Sequence, residues 1–185
     1  MRTHRMTLLV CFLTLFTLNI NAQDGQRDQP SAKTEERITR EVRHELLMLP
    51  YFGVFDNIAY KVDGSTVTLL GQVVRPVLKS DAENAVKRIE GVDKVDNQIE
   101  VLPPSTMDDR LRVRLFRAIY QYPGLQRYEL GVQKPIRIIV KNGRVTLEGV
   151  VDSESDKNLA GIRANSVSGT FSVTNNLRVA EPSKG

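Results

Sequence analysis

The sequence contains an internal repeat, and this repeat limits the possible folds more than any other feature. Residues 67–101 match residues 145–179 without a gap, with eleven identities in thirty-five positions at an offset of 78. Upstream, apolar residues match at an offset of 73, so the second copy has about five extra residues within 124–135. Such periodicity indicates one supersecondary unit used twice. The chain is therefore expected to fold as two small copies of one unit.

Each copy is predicted to begin with a helix and a β-hairpin. Apolar residues recur at helical spacing over 38–49 and 111–119, which predicts a first helix in each copy. Residues 58–62 alternate between apolar and other side chains, as a half-buried strand does. Two pairs of turn-forming residues then predict the hairpins: Asp63-Gly64 and Asn142-Gly143.

The second half of each copy is predicted to be strand, helix, strand. The strands that complete the hairpins are 66–73 and 144–151. A helix is expected over 81–89, and a weaker one over 154–166, because Gly, Asn and Ser residues lower the helix propensity of the latter. Residues 95–101 are predicted to form the last strand of the first copy.

The first 22 residues have the layout of a secretory signal. A basic start precedes the mostly apolar residues 6–20, and cleavage is expected after Ala22. The apolar run is shorter than the ~20 residues needed to span a bilayer, and an uncleaved anchor is the alternative. Residues 23–34 lack an apolar pattern and are predicted to be a flexible linker. The mature protein is therefore expected to be soluble and exported.

Histidine and cysteine are almost absent, which excludes most catalytic and metal chemistry. Cys11 and His4 lie in the predicted signal, so His44 is the only such residue of the mature chain. Without cysteine there is no disulfide framework, thiol nucleophile or cysteine-based metal site. A metal site is not expected either, because it requires several converging ligands. We therefore predict a non-enzymatic protein with no cofactor, no metal and no small-molecule substrate.

The repeated segments resemble the BON domain family. The first copy has the hairpin motif of the family at 64–71, with one extra residue, followed by the segment 91–101. The second copy has the motif at 143–149, followed by 169–179. It departs from the family pattern at Thr170, where an apolar residue is usual.

The resemblance covers roughly residues 36–180 and implies an α+β fold. It implies two tandem αββαβ domains, each a three-stranded mixed sheet packed against two helices, with domain 1 at 35–103, domain 2 at 107–180 and a tail at 181–185. It also implies a periplasmic cell-envelope protein, linked to phospholipid contact, envelope integrity, osmotic stress or chaperoning.

The glycines of the repeated motif are interpreted as structural. These glycines are Gly64, Gly71, Gly91, Gly143, Gly149 and Gly169. Gly71 and Gly149 lie in predicted strands, where glycine commonly marks a bulge or a close backbone approach, and Gly91 fits the end of a helix. Asn97 and Asn175 also recur, and they are expected to bond a neighbouring turn rather than a ligand.

The two copies differ in charge. Residues 35–103 contain 9 basic and 12 acidic residues, net −3, whereas residues 107–180 contain 12 basic and 7 acidic residues, net +5. Such asymmetry indicates different partners. In the first helix of the second copy, one face is apolar and predicted to pack on the sheet, and Arg112 lies at the border of the other. That other face carries the candidate lipid- or partner-binding residues: Arg110, Val113, Arg114, Phe116, Arg117 and Tyr120.

This outer face allows three interpretations. Apolar side chains ringed by arginine suit an anionic phospholipid surface. The same apolar residues could instead be buried against the first copy or against 124–135, since two domains of about 70 residues have small cores and gain from docking. A contact with an envelope protein is the third. The equivalent face of the first copy has no aromatic residue: Arg40, Arg43, His44, Leu47 and Met48, with Glu41 at its edge.

We predict an exported, non-enzymatic protein that binds an anionic phospholipid surface peripherally and supports cell-envelope integrity. The alternative is a soluble periplasmic chaperone or protein-interaction adaptor, which would require an apolar groove open to solvent. An unrecognised hydrolase would depend on His44. Nucleic-acid binding is not expected, because the net charge is small and no nucleic-acid-binding motif occurs.

Overall fold

The computed structural model describes residues 32–131 and 134–181. The predicted signal at 1–22, residues 23–31 of the predicted linker and residues 182–185 of the predicted tail lie outside the described residues. The linker prediction of 23–34 is wrong at its end, because a helix already begins at Ala32. The polar residues of this first turn follow no apolar repeat, so the pattern alone placed the start of the helix too late.

Domain 1 has the predicted element order. Its elements are α1 (Ala32–Leu47), β1 (Asn57–Asp63), β2 (Thr66–Val73), α2 (Pro76–Lys87), β3 (Lys94–Asn97) and β4 (Glu100–Val101). Strand β1 is antiparallel to β2, and β3 and β4 are both parallel to β2. Helix α2 begins five residues before the predicted position, because Pro76 occupies its first turn, where the missing N–H of proline costs nothing.

Domain 2 repeats this order with one insertion. Its elements are α3 (Thr106–Tyr120), a short 3₁₀ helix (Gln126–Glu129), β5 (Ile136–Lys141), β6 (Arg144–Val151), α4 (Glu154–Asn165), β7 (Ser172–Asn175) and β8 (Arg178–Val179). The β5–β6 pair is antiparallel, and β7 and β8 are parallel to β6. The predicted α+β fold of two tandem domains with mixed sheets is confirmed.

An asparagine splits the last strand of each domain into two short segments. The Asn97 amide donates to the carbonyl of Lys79 at 2.8 Å, while its oxygen accepts the N–H of Ile99 at 3.2 Å. Asn175 makes the matching bonds, to the carbonyl of Lys157 at 2.7 Å and from the N–H of Leu177. Local side-chain bonds of this kind compete with the strand ladder. The two asparagines therefore fasten the last strand to the preceding helix.

Each domain has its own apolar core, built from one face of the first helix and the inner face of the sheet. In domain 1 the helix contributes Ile38, Val42 and Leu46, all buried against β2 and α2. In domain 2 the corresponding residues are Leu111, Leu115 and Ile119. Burial of each such side chain is worth ~1.5–3 kcal/mol. This packing fixes which face of each first helix is turned outward.

The six motif glycines all have positive φ angles. Two of them, Gly71 and Gly149, lie in the second strand of each hairpin, against the backbone at the start of the first strand. A Cβ atom at Gly71 would lie 2.1 Å from the carbonyl oxygen of Asn57, and one at Gly149 would lie 1.9 Å from that of Pro135. The facing backbone itself fills the space beside these glycines, which leaves no room for a ligand there.

A polar network around Asp156 holds the extra segment of domain 2 against α4. The Tyr128 hydroxyl donates to the Asp156 carboxylate at 2.9 Å and accepts the N–H of Asp152 at 2.8 Å. Ser153 donates to the same carboxylate at 2.7 Å, and Arg127 forms an ion pair with it. Burial of Asp156 disfavours its charge, but the hydrogen bonds from Ser153, Tyr128 and Arg127 outweigh it and lower the pKa of the carboxyl.

This lowered pKa predicts a loss of stability in acid. The carboxyl of Asp156 binds protons less readily when folded, so its stabilisation is present above the unfolded pKa of about 4 and disappears as the pH falls through the folded value. We expect Asp156→Asn to melt at a lower temperature than the wild type at pH 7, and the difference to shrink at pH 3. An unchanged difference between pH 7 and pH 3, measured by circular dichroism, would contradict this role.

The two domains meet through residues 51–56, which follow α1. The N–H of Ile138 in β5 donates to the carbonyl of Val54 at 2.9 Å, so this segment covers the open edge of the domain 2 sheet. Arg137 donates to the carbonyl of Gly53 at 2.8 Å. The ring of Phe55 lies edge-on to Phe116 of α3, with 6.4 Å between centroids. Domain 1 therefore packs beside α3.

Candidate functional site

Helix α3 is fixed at both its start and its inner face. The Ser105 hydroxyl accepts the N–H of Asp108, which caps the first turn. The carboxylate of Asp108 is buried and accepts the N–H groups of Asn142 and Gly143 at 2.8 and 2.9 Å. With its inner side chains in the core, the helix is held to the β5–β6 turn and presents one face outward.

Four of the six predicted site residues lie together on this outer face. Arg110, Val113, Arg114 and Arg117 are exposed and line a shallow depression beside Asp109. Val113 is 43% exposed and lies between the arginines. Within the described residues none of these three arginines forms an ion pair, although Arg114 donates to the carbonyl of Ser168 at 3.2 Å. The surface is therefore a small apolar area with free positive charge around it.

The two aromatic residues do not belong to this surface. Tyr120 is fully buried, and its hydroxyl donates to the carbonyl of Ile136 at 2.6 Å and accepts the N–H of the same residue at 3.0 Å. Phe116 is half-buried between Tyr120 and Phe55. The prediction that Tyr120 faces outward is wrong, and that for Phe116 is wrong in part. Packing against the first copy, part of the second of the three interpretations, explains Phe116, whereas Tyr120 is buried in the core of domain 2 itself.

Arg112 is also buried rather than at the border of the outer face. It is 3% exposed, donates to the carbonyl of Val140 at 2.7 Å and pairs with Asp109 at 2.5 Å. The guanidinium thus joins α3 to β5. The helical spacing gave no signal for this role, because it depends on the contact with Val140, 28 residues away.

A groove beside Val113 was not predicted from the sequence. Its apolar lining comes mainly from domain 1, and Arg75 lies 4.9 Å from the centre of the exposed Tyr51 ring. The apolar residues that line it are Tyr51, Val54, Phe55, Val74 and Val113. The dense aromatic content of 51–55 was the available signal, but its position relative to α3 depends on how the domains dock.

The first helix of domain 1 offers a contrasting surface. Arg40, Arg43 and His44 are exposed, as expected for His44, but acidic side chains are interleaved with them. Arg37 is paired with Glu41 at 2.8 Å. Within the described residues no group of acidic, histidine or cysteine side chains is arranged to hold a metal ion. No helix in that part of the chain is long and apolar enough to cross a bilayer.

These features define a protein built from two copies of a small αββαβ domain, the second with an arginine-rich outer surface. A sequence model of the BON domain matches residues 34–103 and 108–181. The chain therefore belongs to the BON domain family. Proteins with this domain are generally non-enzymatic and are known to bind phospholipid membranes, which supports a general membrane-associated role.

Comparison with solved structures returned distant similarities. One is a structural protein of the type III secretion system of Chlamydia trachomatis, CdsD, at 12% identity and a TM-score of 0.28, covering 78% of this chain and 94% of that one. The C-terminal domain of CdsD gave 12% identity and a TM-score of 0.27, covering 77% and 96%. No curated protein sequence matched the chain.

Proposed function

We propose that this protein is exported and binds anionic phospholipid membranes peripherally through the outer surface of α3, supporting the integrity of the cell envelope. The observation that carries the proposal is the exposure of Arg110, Arg114 and Arg117 around Val113, without an acidic partner for the arginines in the described residues. Guanidinium groups suit lipid phosphates because they donate several hydrogen bonds in a fixed plane.

The expected affinity follows from the number of free charges. Each basic residue near an anionic membrane surface contributes about 1 kcal/mol, so three give about a hundredfold gain in affinity. Val113 adds a small apolar contact. The binding is therefore expected to be reversible and to weaken as salt rises, because exposed charges are screened within ~10 Å at 0.1 M salt.

Charge reversal on α3 tests the proposal. We expect Arg110→Glu/Arg117→Glu to reduce binding to phosphatidylglycerol vesicles at least a hundredfold, since two attractions are replaced by two repulsions. Both side chains are exposed and form no ion pair within the described residues, so the fold should persist by circular dichroism. Vesicle flotation at low and high salt, with neutral phosphatidylcholine vesicles beside the anionic ones, measures the effect.

The repeat supplies a matched control. Arg40→Glu/Arg43→Glu changes two exposed arginines on the first helix of domain 1 and alters the net charge by the same amount. We expect this variant to lose less than about threefold in affinity, because its surroundings are already mixed in charge. Equal losses in both double variants would mean that net charge alone, and not the α3 surface, governs binding. No loss in either would refute the proposal.

The alternative function, a soluble chaperone or adaptor, requires an open apolar groove. A cleft among the described residues lies between the outer face of the domain 2 sheet and domain 1. Its lining is mostly polar or charged: Gln72, Glu100, Leu102, Ile139, Lys141, Asn142, Arg144, Thr146, Glu148 and Asn176. The smaller apolar groove adjoins the α3 arginines through Val113. This combination favours a phospholipid over an unfolded polypeptide.

A further inference from the structure

Phe171 is the most exposed aromatic side chain among the described residues. It is 77% exposed and lies just before β7, in the loop that follows α4. Its N–H donates to the carbonyl of Gly143 at 2.8 Å, which fixes the loop to the β5–β6 turn. We call this end of domain 2, where residues 142–143, the loop 166–171 and the start of α3 meet, the turn end.

The fold does not require an aromatic residue at this position. In domain 1 the equivalent residue is Asp93, whose N–H makes the matching bond to the carbonyl of Ser65 at 2.9 Å. Asp93 is exposed, as Phe171 is. The side chain that packs against the core is two residues further along the chain, at Val173 in β7. A charged residue thus satisfies the same backbone geometry, and the phenylalanine is free to contact something outside the domain.

Positive charge surrounds Phe171. The guanidinium of Arg144 lies 5.1 Å from the centre of its ring. Arg114 reaches the same loop through its bond to Ser168. The nearby acidic side chains do not neutralise these arginines. The buried carboxylate of Asp108 accepts the N–H groups of the β5–β6 turn, and Asp109 is paired with Arg112.

The equivalent end of domain 1 is mixed in charge, since Arg37 donates to the carbonyl of Glu90 at 2.8 Å as Arg114 does to that of Ser168. The positions of Ser168, Phe171 and Arg144 are occupied there by Glu90, Asp93 and Thr66, respectively. A second apolar residue, Met107, is 68% exposed beside Asp108 at the turn end of domain 2. The duplication therefore contains one end where acidic side chains accompany Arg37, and one that combines exposed apolar side chains with arginines, a combination complementary to an anionic bilayer.

We propose that Phe171 inserts into the boundary between headgroups and acyl chains of an anionic phospholipid bilayer, while Arg144 and Arg114 contact the phosphates. Amphipathic protein surfaces bind in this way, with apolar side chains buried and basic ones at headgroup level. Domain 2 then meets the membrane with its turn end as well as with α3. This inference rests on the proposed lipid binding and identifies Phe171 as the residue that enters the bilayer.

A tryptophan at this position reports insertion directly, because the sequence contains no tryptophan. We expect the emission of Phe171→Trp to shift to the blue with vesicles of phosphatidylglycerol and phosphatidylcholine, and brominated phospholipid to quench it. Met48→Trp, at a position 68% exposed just after α1 in domain 1, is the matched control and should show neither effect.

A truncation measures the contribution to affinity. Loss of a phenylalanine contact with the bilayer is expected to weaken vesicle binding about tenfold in Phe171→Ala. Ile162→Ala, at a residue 64% exposed on α4, should bind as the wild type does. Because both side chains are exposed, the variants are expected to keep the fold, and the aromatic Phe171→Trp serves as the second readout.

The outcomes separate this inference from the proposed function. If Phe171→Ala binds normally and the emission of Phe171→Trp is unchanged by vesicles while Arg110→Glu/Arg117→Glu loses binding, the insertion of Phe171 is wrong and lipid binding by α3 stands. If Phe171→Ala instead changes only the sedimentation of the protein, the residue contacts a second copy and the inference also fails. Absence of vesicle binding by the wild-type protein would overturn both.

Discussion

Gly149→Ala is expected to unfold domain 2. Gly149 has a φ angle of +123° and faces the backbone of Pro135, where a Cβ atom would lie 1.9 Å from the carbonyl oxygen. A side chain there must both adopt a strained backbone conformation and displace the first strand of the hairpin. We expect a loss of about 4 kcal/mol or more, which is comparable to the whole stability of a domain of this size. Gly71→Ala should do the same to domain 1.

Gly53→Ala provides the control for this prediction. Gly53 has no positive φ, and a Cβ atom there would meet its nearest atom at an ordinary 3.6 Å. We expect a change below about 1 kcal/mol. Amide hydrogen exchange resolves the two domains, so protection should vanish in β6 for Gly149→Ala and in β2 for Gly71→Ala. Retention of wild-type protection in both strands would show that the hairpins tolerate a side chain.

Tyr120→Ala has the second-largest expected effect, because Tyr120 is a core residue. Removal of a large buried aromatic side chain typically costs ~3–5 kcal/mol. The hydroxyl also serves both backbone groups of Ile136, and burial raises the pKa of Tyr120 well above its ordinary value, so it remains a neutral donor. We therefore expect Tyr120→Ala to lower the urea midpoint of domain 2 strongly.

Two conservative variants separate the parts of this effect. Tyr120→Phe keeps the ring and leaves the Ile136 N–H without its bond, at a cost of about 2 kcal/mol. Tyr122→Phe, two residues further on at a partly exposed position, should be near neutral. Folded Tyr120→Phe should bind anionic vesicles as the wild type does. If Tyr120→Phe is stable but binds lipid more weakly, Tyr120 contacts the membrane and its assignment as a purely structural core residue is wrong.

At the candidate site, the helical pattern predicted the core face of α3 but not the contacts of its other sides. The spacing of Leu111, Leu115 and Ile119 identified the core face of α3, and the exposure of Arg110 and Arg117 follows from it. The pattern could not identify what lies against the remaining sides. By helical spacing, Phe116 and Tyr120 lie on the same outer half of α3 as the arginines. In the structure, the segment 51–56 and the start of β5 cover these two aromatic residues.

The roles of Phe171 and Asp156 were not predicted from the sequence either, because they too depend on tertiary contacts. Phe171 differs from Asp93 at matched positions, but only the structure shows that both side chains are exposed to solvent. Asp156 resembles any acidic residue in the first turn of a helix. Its buried contacts come from Tyr128 and Arg127, which lie 28 and 29 residues away in the extra segment.

The sequence by itself determined the duplication, the element order, the hairpin turns and the charge difference between the copies, because these depend on local spacing and on short-range backbone preferences. Only the tertiary structure decided that Tyr120 and Arg112 are buried, that domain 1 covers the edge of β5, and that Phe171 and the arginines share one end of domain 2. The physical reason is that burial depends on contacts between residues distant in sequence, and neither hydrophobic period nor composition records which surfaces meet.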